Sequence, residues 1–129
     1  MYYVDTSAAA KLVLSERGSA AMLRWAQAQD AEYGTSDILR VDLLRAVRRT
    51  APEFQARART VLDTMLLMAL STETFERAAL LEPAQLRSLD AVHLAAALEV
   101  GPDLDGIVTY DERLAEAAVA LGVPVVSPR

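Results

Sequence analysis

The chain has 129 residues, 53% of them hydrophobic, with no cysteine and a formal net charge of −5. That length suits a single domain over 1–129, the apolar fraction excludes a disordered chain, and the lack of cysteine excludes disulfides and thiolate metal sites. The negative balance argues against nonspecific binding of polyanions, and no apolar run reaches about 18 residues, so no transmembrane helix is expected.

Tyr2-Tyr3-Val4 reads as a short buried strand over 1–5 that runs straight into Asp5. No basic-then-apolar leader precedes it, and a cysteine-free domain of this size is expected in the cytoplasm. An alanine-rich helix is expected over 7–14 and a second over 18–30, with Ala21, Leu23, Trp25 and Ala28 for its buried side. A short strand over 32–35 leads to a third helix, capped by Ser36 or Asp37 and running to about Arg49, before Pro52. Val61, Leu62, Met65, Leu66 and Met68 have helical spacing within 53–68, and 69–72 reads as a strand. Further helices are expected over 74–81, from a Ser88 cap to Gly101-Pro102, and over 111–121, closed by Gly122. Strands over 107–110 and in "VPVVS" complete an alternation that calls for a parallel sheet covered by helices on both faces.

Four acids stand in positions that need a reason. Asp5 and Asp111 follow strands, at the carboxyl edge where ligands of such sheets gather. In "SDILRVDLLRAVRR", Ile38 and Ala46 lie one turn either side of Asp42 and place it on or beside the buried stripe; Asp90 shares a face with Leu86, Leu94 and Ala97. Each has a plain structural role open to it. Asp5 and Asp111 can be N-caps, Asp90 a first-turn acid favoured by the helix dipole, and Asp42 a partner of Arg45 or Arg49. As a set they ask for a cation, because crowded carboxylates raise one another's pKa. Ligation by carboxylates and water is the chemistry of Mg²⁺ or Mn²⁺, ions that activate water and stabilise the oxygens of a phosphodiester under attack. Metal-dependent phosphodiester hydrolysis is therefore the expected activity.

"YVDTSA", the acid before "LLRAVRR", "SLDAVHLAAAL" and "IVTYDERLAEAA" resemble the PIN domain, and more narrowly the VapC-type toxin ribonucleases of bacterial toxin–antitoxin pairs, over essentially the whole chain. The resemblance implies a PIN-like three-layer α/β/α sandwich with a central, mainly parallel sheet. It implies a Mg²⁺- or Mn²⁺-dependent endoribonuclease acting on tRNA, rRNA or mRNA and neutralised by a cognate VapB-like antitoxin. It also implies a homodimer that forms a heterotetramer or larger assembly with that antitoxin. Carried over by position, the catalytic set is Asp5, Asp42, Asp90 and Asp111. The metal falls to Asp5, Asp90 and Asp111, with Asp42 through a water, and Thr6 and Thr109 are supporting hydroxyls. The family usually has Glu where this chain has Asp42, a loss of reach of roughly 1.5 Å for one C–C bond. Glu112 and Glu116 rank below Asp111 as sources of a further acid. The antitoxin is expected to bring an Arg or Lys into the carboxylates and to lay an amphipathic helix in a groove walled by Leu12, Leu23 and Trp25.

Arg40, Arg45, Arg48, Arg49, Arg57 and Arg59 share a region whose only acids are Asp42 and Glu53. The four on the third helix are candidates for RNA phosphates, or simply a solvated face. His93, the only histidine, reads as a core or supporting residue rather than a catalytic one, and Trp25, Phe54, Met65 and Met68 as core or dimer surface. Two other enzyme and signalling readings fit poorly. A haloacid-dehalogenase phosphatase wants a second acid where this chain has Ser7. A receiver domain wants an acidic pair and a late lysine, and the only lysine is Lys11. A PIN-like fold kept as a dimer or antitoxin-binding module, its catalysis decayed, stays open through Asp42.

Overall fold

The computed structural model describes residues 1–129. Five strands, β1 (Tyr2–Val4), β2 (Tyr33–Ser36), β3 (Leu66–Met68), β4 (Gly106–Val108) and β5 (Val125–Val126), form one sheet in the order β3-β2-β1-β4-β5. Every neighbouring pair is parallel. Seven helices connect them: α1 (Thr6–Val13), α2 (Ser19–Ala28), α3 (Asp37–Thr50), α4 (Gln55–Asp63), α5 (Thr72–Ala79), α6 (Ser88–Val100) and α7 (Glu112–Ala120). The expected α/β/α sandwich is present, and no helix is long and apolar enough to cross a membrane.

The two faces are filled by alternate residues of the central strands, as the period of a strand demands. Val4 and Val108 pack into one core with Ala8, Ala9, Met22, Leu39, Leu43 and Leu62 from α1 to α4. Their neighbours Tyr3 and Ile107 pack into the other with Leu94, Ala96, Leu114 and Ala118 from α6 and α7. Strands buried on both faces read as continuous apolar runs, which is why "YYV" and "GIV" carry no polar alternation. Gly106 is required by close approach: a Cβ there would lie 2.8 Å from the Pro124 carbonyl oxygen across the β4–β5 ladder. Residues 91–97 of α6 are buried throughout, and His93 is the one polar side chain among them. The chain reverses its direction of winding beside β1, so the ends of β1 and β4 form the crevice in which such sheets bind ligands.

Several elements differ from the sequence expectation. The helix expected over 53–68 is a 3₁₀ turn, Pro52–Phe54, followed by α4, and Leu66–Met68 is a strand paired with Gly34–Ser36. The strand expected over 69–72 is therefore displaced to β3. Short apolar runs satisfy both periods, and the open edge of β2 settles the choice. On α2 the buried residue is Met22, whereas Leu23 and Ala28 face outward. Arg87 rather than Ser88 occupies the N-cap of α6. Strand β4 ends at Val108, with Thr109 still bonded through its N–H to the Val126 carbonyl.

Candidate active site

Asp5 leaves β1 at the carboxyl edge and is 2% exposed. It is the N-cap of α1, accepting a hydrogen bond from the Ala8 N–H at 2.9 Å. Ser7 Oγ donates to both of its oxygens, at 2.8 and 3.0 Å, and Thr109 Oγ1 donates to Oδ2 at 2.5 Å. Both hydroxyls also accept backbone N–H groups, Ser7 from Tyr110 at 2.9 Å and Thr109 from Asp111 at 3.0 Å. The end of β4 is thus stitched to the end of β1 through one carboxylate. Burial pushes the Asp5 carboxyl up to about 6, against the hydrogen bonds from Thr109, Ala8 and Ser7 that lower it, and the charge of Asp90 adds to the rise.

Asp90, in the first turn of α6, is half-buried and accepts no hydrogen bond from the protein. Desolvation first, then the charges of Asp111 and Asp42, push its carboxyl up to about 6, with Arg87 working the other way. Asp111 caps α7 through the Leu114 N–H at 3.0 Å. Asp42 Oδ2 accepts from Thr6 Oγ1 at 2.7 Å, and the expected pairing with Arg45 or Arg49 is absent. The plain structural roles of Asp5 and Asp111 as caps, and of Asp90 as a first-turn acid, are therefore real, and they coexist with the cluster: each sits at a helix N-terminus.

None of the four acids has a cationic side chain within ion-pair distance, since the pairs present are Met1–Asp105, Lys11–Glu16 and Arg77–Glu99. Four uncompensated carboxylates are an oxygen donor set for a hard divalent cation. No three of them are gathered closely enough to enclose an ion. In chemistry the residues fit such a cation; as the side chains stand they do not enclose one, so an ion here would take few of its ligands directly from the protein and the rest from water, as Mg²⁺ commonly does.

His93 is 1% exposed. Its Nδ1 lies 2.8 Å from the Tyr3 hydroxyl and its Nε2 lies 3.1 Å from Thr6 Oγ1. Tyr3 in turn meets Ser36 Oγ at 2.8 Å. Burial holds the imidazole down to about 4, with Asp42 acting in the opposite direction, so it is neutral near pH 7. The expected supporting hydroxyls thus serve different acids, Thr109 serving Asp5 and Thr6 serving Asp42. Sequence reading missed Ser7, Ser36 and Tyr3. The serine two residues after Asp5, an offset suited to a local side-chain bond, was a usable signal; Tyr3 gave none, because a buried tyrosine in a strand looks like core.

Arg40, Arg45, Arg48 and Arg49 are all exposed along α3, without acidic partners. Glu112 and Glu116 are exposed on α7, and neither is among the charges that shift Asp90. Met65 is core, Met68 and Trp25 are partly buried, and Phe54 is 38% exposed. Trp25 packs edge-on against Tyr2 and tilted against Tyr33. A cavity of about 820 Å³ bounded by Leu12, Leu23, Met22, Val61, Met65 and Phe54 opens between α1, α2 and α4, and Trp25 is not part of its wall, contrary to expectation.

The sequence profile of the PIN domain matches residues 2–120. Ribonuclease VapC47 of Mycobacterium tuberculosis is 39% identical over 99% of this chain and 97% of its own length. The chain belongs to the PIN domain family. A second relative of this PIN domain, ribonuclease VapC46 of the same species, is 33% identical over 98% of this chain and 96% of its own length. Among solved structures, Mycobacterium tuberculosis VapC20, described as a sarcin-ricin loop cleaving toxin, superposes with a TM-score of 0.81 at 16% identity. The match covers 99% of this chain and all of that one. A toxin–antitoxin complex from Klebsiella pneumoniae superposes with a TM-score of 0.73 at 22% identity, over 100% of this chain and 98% of that one. These two likenesses establish the fold.

Proposed function

We propose that this PIN domain is an endoribonuclease toxin of the VapC kind, that Asp5, Asp90 and Asp111 hold Mg²⁺ or Mn²⁺, in part through bridging waters as the side chains are now spaced, with Asp42 also through a water, and that an antitoxin neutralises it. The observation that carries the reading is the set of four carboxylates, none paired with a cation, at the carboxyl edge of a chain similar over its whole length to named ribonucleases. A divalent cation at such a site supplies charge to stabilise phosphoryl oxygens and a bound water of lowered pKa. The chain's own residues provide the positioning. Thr109, Ser7 and the Ala8 N–H fix Asp5, the Leu114 N–H fixes Asp111, and Thr6 fixes Asp42. Asp90, which nothing tethers, is the acid free to adjust to the ion and to the attacking water. Exposed Arg40, Arg45, Arg48 and Arg49 contribute phosphate contacts whose strength falls with salt.

Purified protein incubated with structured RNAs, with and without Mg²⁺ or Mn²⁺, should give defined cleavage ends only with metal. Asp90→Asn should keep the fold and lose most of the rate. Cleavage that persists in excess EDTA, or an Asp90→Asn variant as fast as the parent, would overturn the mechanism.

The same unpaired carboxylates suit a guanidinium or ammonium brought by the antitoxin, which neutralises them without offering a water to activate. The apolar cavity walled by Leu12 and Leu23 suits that partner's amphipathic helix. Homodimers joined by the antitoxin into a heterotetramer or larger assembly complete the proposal, with the cytoplasm as its location. Copurification with the product of the neighbouring reading frame, followed by the RNA assay, tests it; a complex that cuts at the free protein's rate refutes inhibition.

A further inference from the structure

Each hydrogen in the buried chain Ser36–Tyr3–His93–Thr6–Asp42 can be assigned from one end. A carboxylate only accepts, so Thr6 donates its single hydroxyl proton to Asp42 Oδ2 at 2.7 Å. Having spent that proton, Thr6 Oγ1 meets His93 Nε2, 3.1 Å away, as an acceptor, which places the imidazole proton on Nε2. A neutral ring then has a bare Nδ1, which accepts from the Tyr3 O–H at 2.8 Å. The Tyr3 oxygen is left to accept from Ser36 Oγ at 2.8 Å. Ser36, Tyr3 and His93 are each no more than 1% exposed, so water does not interrupt that part of the chain, and Thr6 and Asp42 at its other end are partly buried.

We propose that Tyr3, His93 and Thr6 are positioning residues for Asp42: a chain of hydrogen bonds, polarised from the end of β2 through α6 to the start of α1, holds Oδ2 of Asp42 and leaves Oδ1 for the acidic site. The kinetic part rests on the ribonuclease reading; the structural part does not. The arrangement also gives Asp42, a short acid at this position, a fixed orientation. Oδ1 of Asp42 has no partner within the protein, whereas Oδ2 is held at the end of a rigid core network. The imidazole bridges elements far apart in sequence, since Tyr3, Thr6 and Asp42 belong to β1, α1 and α3 while His93 belongs to α6.

His93 is the only histidine, so its ring nitrogens give one unambiguous set of ¹⁵N signals in the full-length protein. The parent in EDTA at pH 7 should show a single tautomer protonated on Nε2. Asp42→Ala frees the Thr6 proton to point at Nε2, and the spectrum should move towards the Nδ1-protonated form. Thr6→Val should lower kcat for RNA cleavage about 10- to 100-fold with little change in KM, and weaken Mn²⁺ binding measured by electron paramagnetic resonance. Thr6→Ser should recover most of both. Tyr3→Phe serves if Thr6→Val fails to fold, with a smaller loss of kcat and a shifted Nδ1 signal. An Nδ1-protonated ring in the parent, a spectrum unchanged in Asp42→Ala, or full kcat and Mn²⁺ affinity in Thr6→Val overturns the proposal. If the parent cuts no RNA, the ribonuclease reading falls, while the imidazole spectrum and Mn²⁺ affinity still decide the role of the chain.

Discussion

Replacing Asp90 by Asn should make the metal-free protein more stable at neutral pH and leave it little changed in acid. In the folded chain the Asp90 carboxyl is pushed up from 3.8 to about 6, mainly by desolvation and by Asp111. A raised carboxyl adds stability in full below its unfolded pKa and loses it as pH rises through its folded one. Two pH units at about 1.36 kcal/mol each give nearly 3 kcal/mol at full coupling, and solvent screening at a half-exposed side chain cuts this to about 1 kcal/mol. Asp5, also pushed up to about 6, shares the sign. His93, held down to about 4, has the opposite sign: its neutral form adds stability above 6.5 and loses it as pH falls towards 4. Across roughly pH 4 to 6 the parent's folded state therefore carries two extra carboxyl protons against one missing imidazole proton, and its stability falls as pH rises. In Asp90→Asn the remaining two groups nearly cancel, and the slope flattens. Urea denaturation in EDTA at pH 4 and pH 7.5 should show the variant gaining about 1 kcal/mol on the parent over that interval, or about 3 °C in Tm. Millimolar Mn²⁺ at pH 7.5 should raise the parent's Tm more than the variant's. A variant that loses ground to the parent between pH 4 and pH 7.5 would refute the account of a strained acidic site.

Asp111→Asn keeps an acceptor for the Leu114 N–H and removes a charge, so in EDTA it should melt at the parent's temperature or above, whereas Asp111→Ala loses the cap and should fall by about 1 kcal/mol. Asp42→Glu should retain RNA cleavage and bind Mn²⁺ at least as tightly, read by titration; loss of cleavage would mean that the pocket is packed around the shorter acid. Gly106→Ala should cost about 1–3 kcal/mol by urea denaturation, because the new methyl meets a backbone oxygen that cannot turn aside.

Much of this protein was legible in order along the chain. Apolar runs without polar alternation, each separated from the next by helical spacing, specify a parallel sheet buried on both faces, and Asp5 and Asp111 announce themselves by following strands. What the sequence left open was decided by pairing between distant segments. Leu66–Met68 fits a helix or a strand by itself and becomes β3 only because β2 offers an open edge. Leu23 and Met22 are equally apolar neighbours, and the position of α1 chooses Met22 for the core. Asp42 is followed by arginines in its own helix, yet its partner is Thr6, brought to it by the packing of α1 on α3. The chain from Ser36 to Asp42 was invisible for the same reason. Periodicity reports which face a residue shares with its neighbours in sequence, and hydrogen bonds across a core depend on which elements the fold sets side by side.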